Sequence, residues 1–273
     1  MAEQKIDTGT HELLCEIRER VATITLNRPD ARNALGDILT PALRAMIQKM
    51  GSAKDVGAII ITGSGNSFCA GGDVKSMGRR TPRVEQSTDE KVSLLKARQR
   101  TLTGALTKVR KPTIASLPGP AAGAGLAIAL ACDIRIASES AFVSTGYARV
   151  GLSGDYGIAW LLTRLVGTAK ARELMFTASR VTAEECCRIG LVNCVTKDPE
   201  LRTKSFDLAR SLANGPGIAL GYMKDNLEDA LTEPFLAALD NEAERLITTA
   251  QTADHREAVQ AFIQKKQPRF KGE

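Results

Sequence analysis

Residues Val56 to Thr62 form an almost unbroken apolar run, Val56-Gly57-Ala58-Ile59-Ile60-Ile61-Thr62, closed by the turn signal Gly63-Ser64-Gly65. A short run of this kind reads as a buried strand that enters a turn. Upstream, Val21 to Leu26 has the β-branched, partly alternating character of a strand and stops at the cluster Asn27 to Asp30. Between the two, Leu39, Leu43, Met46 and Ile47 recur at helical spacing. The rhythm repeats downstream, with a helix over Val92–Val109, a strand over Thr113–Leu117, a Gly/Ala-rich turn from Gly119 into a buried helix, and a strand over Asp133–Ala137. Alternation of this kind points to an α/β fold.

The pattern then turns helical. Tyr156–Val166 predicts a helix that stops at Gly167, with Trp160 on its apolar face and read as core. Helices over Ala169–Thr177, Thr182–Ile189 and Lys204–Ala213 and a strand over Leu191–Val195 follow. After the break at Gly215-Pro216-Gly217, Ala219–Thr232, Pro234–Thr249 and Ala253–Lys265 form a charged, amphipathic tail. Lys75 to Glu90 has no period and reads as a mobile surface segment.

Composition narrows the function classes. With 43% hydrophobic and 25% charged residues in 273, the chain is globular rather than disordered. Its net charge of +6 leaves an anionic ligand open, but only 4% aromatic residues disfavours a base-stacking, nucleic-acid-binding surface. Six cysteines without paired spacing and two histidines argue against a metal site or a disulfide framework, so none is expected and a reducing compartment fits. The first 20 residues lack the apolar core of a signal peptide, and Ala121–Cys132 falls short of the roughly 20 residues a membrane helix needs. A soluble, cytoplasmic protein with no membrane partner is the expectation.

Two glycine-rich passages are candidates for chemistry: Phe68-Cys69-Ala70-Gly71-Gly72-Asp73 after a strand, and Gly119-Pro120-Ala121-Ala122-Gly123-Ala124-Gly125 opening an apolar helix. Neither has nucleotide-loop spacing, and either could be a tight turn. The alternative is that the N–H groups of Gly72 and Ala124 converge on one point, where they would stabilise an oxyanion, helped by the dipole of a helix N-terminus. Cys69 has no histidine near it in sequence to activate a thiolate. Asp73 reads as fixing its loop, and Asp133 as structural.

Five segments occur in an order that resembles the crotonase (enoyl-CoA hydratase/isomerase) family. They are Asn27-Arg28-Pro29 with Asn33-Ala34-Leu35, the Phe68–Asp73 passage, Lys111–Ala115 running into Gly119–Gly125, Ala131–Ala137, and Phe262–Phe270. The resemblance covers nearly the whole chain. It implies a spiral of ββα units over 1–200 and a C-terminal helical region over 201–273 that packs copies into a homotrimer or a dimer of trimers. It also implies an acyl-CoA thioester substrate, with CoA as part of the substrate and no separate cofactor. Gly72 and Ala124 then correspond to the two oxyanion donors. Arg28, Arg32 and Ala70 become candidates for contacting CoA, together with Lys265 or Lys266 from a neighbouring subunit, although exposed cations are usually only solvated.

The chain departs from the hydratase pattern at the two positions where water-holding glutamates are expected, which carry Ala127 and Tyr147. Ala127 can neither accept nor deliver a proton, and Tyr147, with an ordinary pKa of about 10, is a poor replacement. The carboxylate left in a suitable place is Asp155, in Gly151-Leu152-Ser153-Gly154-Asp155-Tyr156-Gly157. It could cap the following helix. As a single base it suits a 1,3-proton shift that moves a double bond from Δ3 to Δ2 of an enoyl-CoA. Hydration or thioester hydrolysis with atypical acids is the alternative, and a non-catalytic acyl-CoA- or RNA-binding protein is the alternative of another class.

Overall fold

The computed structural model describes residues 3–73 and 86–273. Seven strands form one sheet in the order β1-β2-β3-β4-β5-β7-β10. These are β1 (Gln4–Ile6), β2 (Leu13–Arg18), β3 (Val21–Leu26), β4 (Ala58–Gly63), β5 (Thr113–Leu117), β7 (Ile134–Ser138) and β10 (Cys194–Thr196). The first three pair antiparallel, and from β3 onward every pairing is parallel. A smaller sheet joins β6 (Ala121–Ala122), β8 (Phe142–Ser144) and β9 (Val181–Thr182).

Strands β4 and β5 read as unbroken apolar runs because both of their faces are covered. Ile59, Ile61, Ala115 and Leu117 enter the larger core with α1 (Leu39–Ser52) and α4 (Ala124–Ala131). Ala58, Ile60 and Ile114 point the other way, onto Leu201, Ala209 and Ala213 of α7 (Leu201–Ala213). Helix α7 covers this second face. The end of α1 is held by Lys111, whose Nζ donates to the carbonyl oxygens of Met50 (2.9 Å) and Ala53, a cation on a helix C-terminus.

Each turn of the chain sends one strand into the large sheet and then touches the next turn through a shorter inner ladder. Leu35 bridges Gly72, Cys69 bridges Ala121, and Val143 pairs with both Ala121 and Val181. Rungs of such a ladder stack about 4.8 Å apart. All eight residues of α4 are buried, so the Gly/Ala segment is a core helix rather than an amphipathic one. Burying Leu126, Ile128 and Leu130 contributes about 1.5–3 kcal/mol each.

Other elements depart from the sequence reading. The span over Val92–Val109 is two helices, α2 (Thr88–Arg100) and α3 (Thr103–Thr107). Helix α2 opens with a reciprocal cap between Ser87 and Glu90, so the period-free segment from Lys75 ends in a helix; its residues 75–85 lie outside the described ones. By contrast, the expected stop at Gly167 is present: it has a non-helical φ of 75° and ψ of 168° and separates two helical segments, which together span α5 (Ile158–Thr177). Trp160 is not core: it is 42% exposed and carries the Arg164 guanidinium 3.6 Å above its ring. Strands β1 and β2, not expected from the sequence, extend the sheet at its antiparallel edge, with Leu13, Cys15 and Ile17 inward.

After α6 (Ala183–Arg188) and α7 come α8 (Gly217–Thr232), α9 (Phe235–Ala250) and α10 (Ala253–Ile263). The chain end folds back on α10, where the buried Asp254 carboxylate accepts the N–H groups of Lys271 (2.7 Å) and Gly272 (2.9 Å). Among the described residues no helix is long and apolar enough to cross a membrane.

One buried side chain pins the first turn of the spiral to the second. Asn33 has φ 57°, donates through Nδ2 to the carbonyls of Ser64 (3.0 Å) and Ser67 (2.8 Å), and accepts the Arg28 N–H (2.8 Å) on Oδ1. Asn33→Ala leaves these groups unpaired and places alanine in the left-handed region, so we expect a loss of about 2–4 kcal/mol in urea unfolding. Asn33→Asp, which keeps the acceptor but sets a carboxylate oxygen against the Ser64 and Ser67 carbonyls, should be destabilised as well.

Candidate active site

The inner ladder brings the two glycine passages into main-chain contact. Gly71 has φ 88°, and a Cβ on it would stand 2.8 Å from the Ala122 carbonyl oxygen and 3.4 Å from the Ala124 nitrogen. Gly125 is pressed against the first passage as well, since a Cβ there would meet the Cys69 carbonyl oxygen at 2.4 Å. Glycine is therefore required at both places by close approach of the backbone. The peptides 71–72 and 123–124 lie side by side.

Neighbouring main-chain groups of the two passages are paired. Leu35 N–H donates to Gly71 O (2.7 Å), Asp73 N–H to Leu35 O (3.1 Å), Ala122 N–H to Cys69 O (2.9 Å) and Gly123 N–H to Ser144 O (3.1 Å). Among the described residues, the N–H groups of Gly72 and Ala124 have no acceptor. Ala124 is the first residue of α4, where a free amide is inherent to helix geometry, and it is 4% exposed. Two unpaired amides on adjacent peptides, one at a helix N-terminus, form a site for an oxygen that carries negative charge.

Tyr147 lies beside the second passage, and Asp155 is bonded to it. Tyr147 opens a short 3₁₀ turn (Tyr147–Val150) set between left-handed Gly146 and Gly151, and its ring carbon Cζ stands 3.9 Å from where a Cβ on Gly123 would be. Its hydroxyl donates to Asp155 Oδ1 at 2.6 Å. Asp155 is not a helix cap: the residue before α5 is Gly157, which makes no side-chain cap, and the carboxylate instead accepts the phenol. Burial raises the Asp155 pKa, and the Tyr147 bond opposes that rise. The Tyr147 phenol is pushed well above its usual value, first by burial and then by bonding to the carboxylate, so it stays protonated. Ala127 is fully buried in α4 and offers no acid.

The other expected residues are distributed as follows. Arg28, a candidate for contacting CoA, is engaged within the chain. Its Nη1 donates to Ala34 O (2.6 Å), Nη2 meets Asp73 Oδ2 (3.2 Å) and Nε lies 3.4 Å from Glu12 Oε1. Two carboxylates neutralise this guanidinium and leave it to brace the loop that carries Gly72. Arg32 and Ala70 are both exposed and are joined by the Ala70 N–H to Arg32 O bond (3.0 Å), so the structure brings these two together beside the first glycine passage. Lys265 and Lys266 are exposed just beyond α10, and Lys266 Nζ donates to Gln264 Oε1 (3.1 Å). The Cys69 thiol is raised to about 12 by burial, which removes it as a nucleophile. Asp133 is structural: its Oδ2 accepts Thr113 N–H (2.7 Å) and Lys224 Nζ (2.7 Å). Glu12, which completes the Arg28 brace, is absent from the sequence reading because no local pattern marks it.

Residues 16–273 match the family model described as enoyl-CoA hydratase/isomerase. A probable enoyl-CoA hydratase of Rhodobacter capsulatus is 35% identical over 263 residues, 96% of this chain and 98% of that protein. The 1,2-epoxyphenylacetyl-CoA isomerase of Escherichia coli K12 is 33% identical over 260 residues, 95% and 98% of the two chains. Among solved structures, an enoyl-CoA hydratase from Bacillus anthracis superposes with a TM-score of 0.89 at 29% identity, covering 96% of this chain and 100% of that one. A structure from Streptomyces coelicolor described as a putative enoyl-CoA hydratase gives 0.88 at 34% identity, covering 96% and 94%.

The Tyr147 hydrogen bond stabilises the ionised form of Asp155. Tyr147→Phe removes it while burial remains, so the Asp155 carboxyl should titrate at higher pH than in the parent chain. A carbon-13 NMR titration of the carboxyl carbon reads this directly, and an unchanged or lower midpoint would contradict the geometry.

Proposed function

The chain belongs to the enoyl-CoA hydratase/isomerase family and has its crotonase fold, and from that premise we propose that this enzyme moves the double bond of an enoyl-CoA from Δ3 to Δ2. The observation that carries this reading is a half-buried carboxylate, Asp155, bonded to Tyr147, whose ring lies against the glycine passage that presents the unpaired Ala124 amide, with no second acid in place of Ala127 or Tyr147. The thioester carbonyl oxygen accepts the N–H groups of Gly72 and Ala124. Ionised Asp155 removes a proton from C2, the electron pair moves onto the carbonyl oxygen as an enolate, and the two amides hold the charge that develops there. The enolate collapses with the double bond at C2–C3 while Asp155 returns the proton to C4. Tyr147 stays protonated and orients the carboxylate.

Relatives with this fold include proteins named hydratases and one named an isomerase. Water addition needs one group to activate water and another to deliver a proton, and here one carboxylate is bonded to a phenol whose pKa lies too high for either duty. Arg32 and Ala70 line the start of the path for CoA, and Lys265 and Lys266 reach it from a neighbouring copy. Self-association is supported by the helical tail, where Leu227, Phe235, Leu246, Phe262 and Ile263 are all exposed. Large apolar side chains clustered in this way mark a surface for another protein copy.

A 3-enoyl-CoA and a 2-enoyl-CoA offered in turn separate double-bond migration from hydration. Migration should dominate, and Asp155→Asn should lower its kcat by about 10²–10⁴-fold. Because the base must be ionised, kcat/KM should fall with decreasing pH through a carboxyl value above the ordinary range. Isomerisation that survives Asp155→Asn unchanged would sink the assignment. Light scattering should give three or six times the 29.2 kDa chain mass, and Phe262→Glu should reduce it.

A further inference from the structure

We propose that Gln99 is a positioning residue for catalysis, a role that rests on Asp155 being the base. Asp155 sits in a loop whose backbone is unusual over its whole length. Gly151 has φ 68°, Gly154 φ 118°, Tyr156 φ 51° and Gly157 φ 77°. The three glycines enter the left-handed region without steric cost, but Tyr156 does not, and a non-glycine residue there costs of order 1–3 kcal/mol. Such a conformation persists only where its surroundings hold it.

Both ends of the peptide that follows Asp155 are held. Its carbonyl, Asp155 O, accepts the Ile158 N–H at 3.1 Å from the first turn of α5. Its N–H, on Tyr156, donates to Gln99 Oε1 at 2.6 Å. The orientation of this peptide sets the backbone angle at Asp155, and so the direction from which its carboxylate meets Tyr147 and the point between the Gly72 and Ala124 amides. Gln99 is the contribution of α2 to that arrangement. Helix α2 buries none of its residues, yet at its last turn it places this one amide oxygen against the partly buried loop. The chain from α2 through Gln99 to the 155–156 peptide and on to the carboxylate leaves thioester binding to other groups, so its loss should appear in turnover rather than in affinity.

The test uses the full chain with a 3-enoyl-CoA. Gln99→Leu removes the acceptor and should lower kcat by about 10–100-fold while KM changes by no more than about twofold, because a small misplacement of a catalytic group is felt in the chemical step. Gln99→Glu keeps an acceptor oxygen at the same reach and should recover most of the loss. In an Asp155→Asn background, Gln99→Leu should cost almost nothing further, since two residues that act through one group are not additive. The proposal is overturned by an unchanged kcat in Gln99→Leu, by an equal loss in Gln99→Glu, or by a full additional loss in the double variant. Full activity in Asp155→Asn alone overturns the base assignment instead, and the two failures are thereby told apart.

Discussion

The site depends on two main chains touching where side chains would normally separate them. Residues 69–72 and 121–125 belong to successive turns of the spiral, and the bridge between Cys69 and Ala121 sets their register. At that spacing a Cβ on Gly71 or Gly125 would overlap a carbonyl oxygen of the other passage. Glycine at these two positions lets the peptides lie side by side, and the register leaves one N–H of each without an acceptor. Unpaired amides shielded from water normally destabilise a fold, a cost that the oxyanion of the proposed mechanism would offset.

Around that contact the chain puts charge to structural use. Arg28 binds two carboxylates and a carbonyl, which joins the start of β2, the Asn33 turn and the Gly72 loop into one unit. Asn33 adds four hydrogen-bonding contacts in the same region without any charge. The result is a rigid first passage whose Gly72 amide is aimed by groups more than one turn of chain away. Donors held rigidly in this way need no reorganisation when an enolate forms, and from that their electrostatic worth derives.

Much of this was legible in the sequence. Unbroken apolar runs marked β4 and β5, and the order of five segments marked the family and, with it, Gly72, Ala124 and Asp155 as candidates. What the sequence reading lost has physical causes. Strand β2 carries apolar Leu14 on its outer face, which breaks its alternation, and Cys15 does not count as a strong strand former. Trp160 shares a helical stripe with Leu161, but its ring lies against Arg164 at the surface, a contact that periodicity cannot express. The internal partners of Arg28 escaped the sequence because a cation's partners are set by the fold: Asp73 lies 45 residues away in sequence and touches it.

The pairing of Tyr147 with Asp155 suggests why a tyrosine can stand where a hydratase would carry an acid. A second carboxylate beside Asp155 would repel it and drive one of the two to hold a proton at neutral pH. A phenol raised above its ordinary pKa carries no charge, donates a short hydrogen bond and leaves Asp155 as the member of this pair that titrates. Burial then makes that carboxylate more basic while the phenol fixes its direction. On the proposed mechanism, a lone base that takes a proton from one carbon and returns it two carbons along must keep its orientation through the life of the enolate, and two restraints would supply this. The phenol holds the carboxylate from one side, and the peptide behind it is held at both ends.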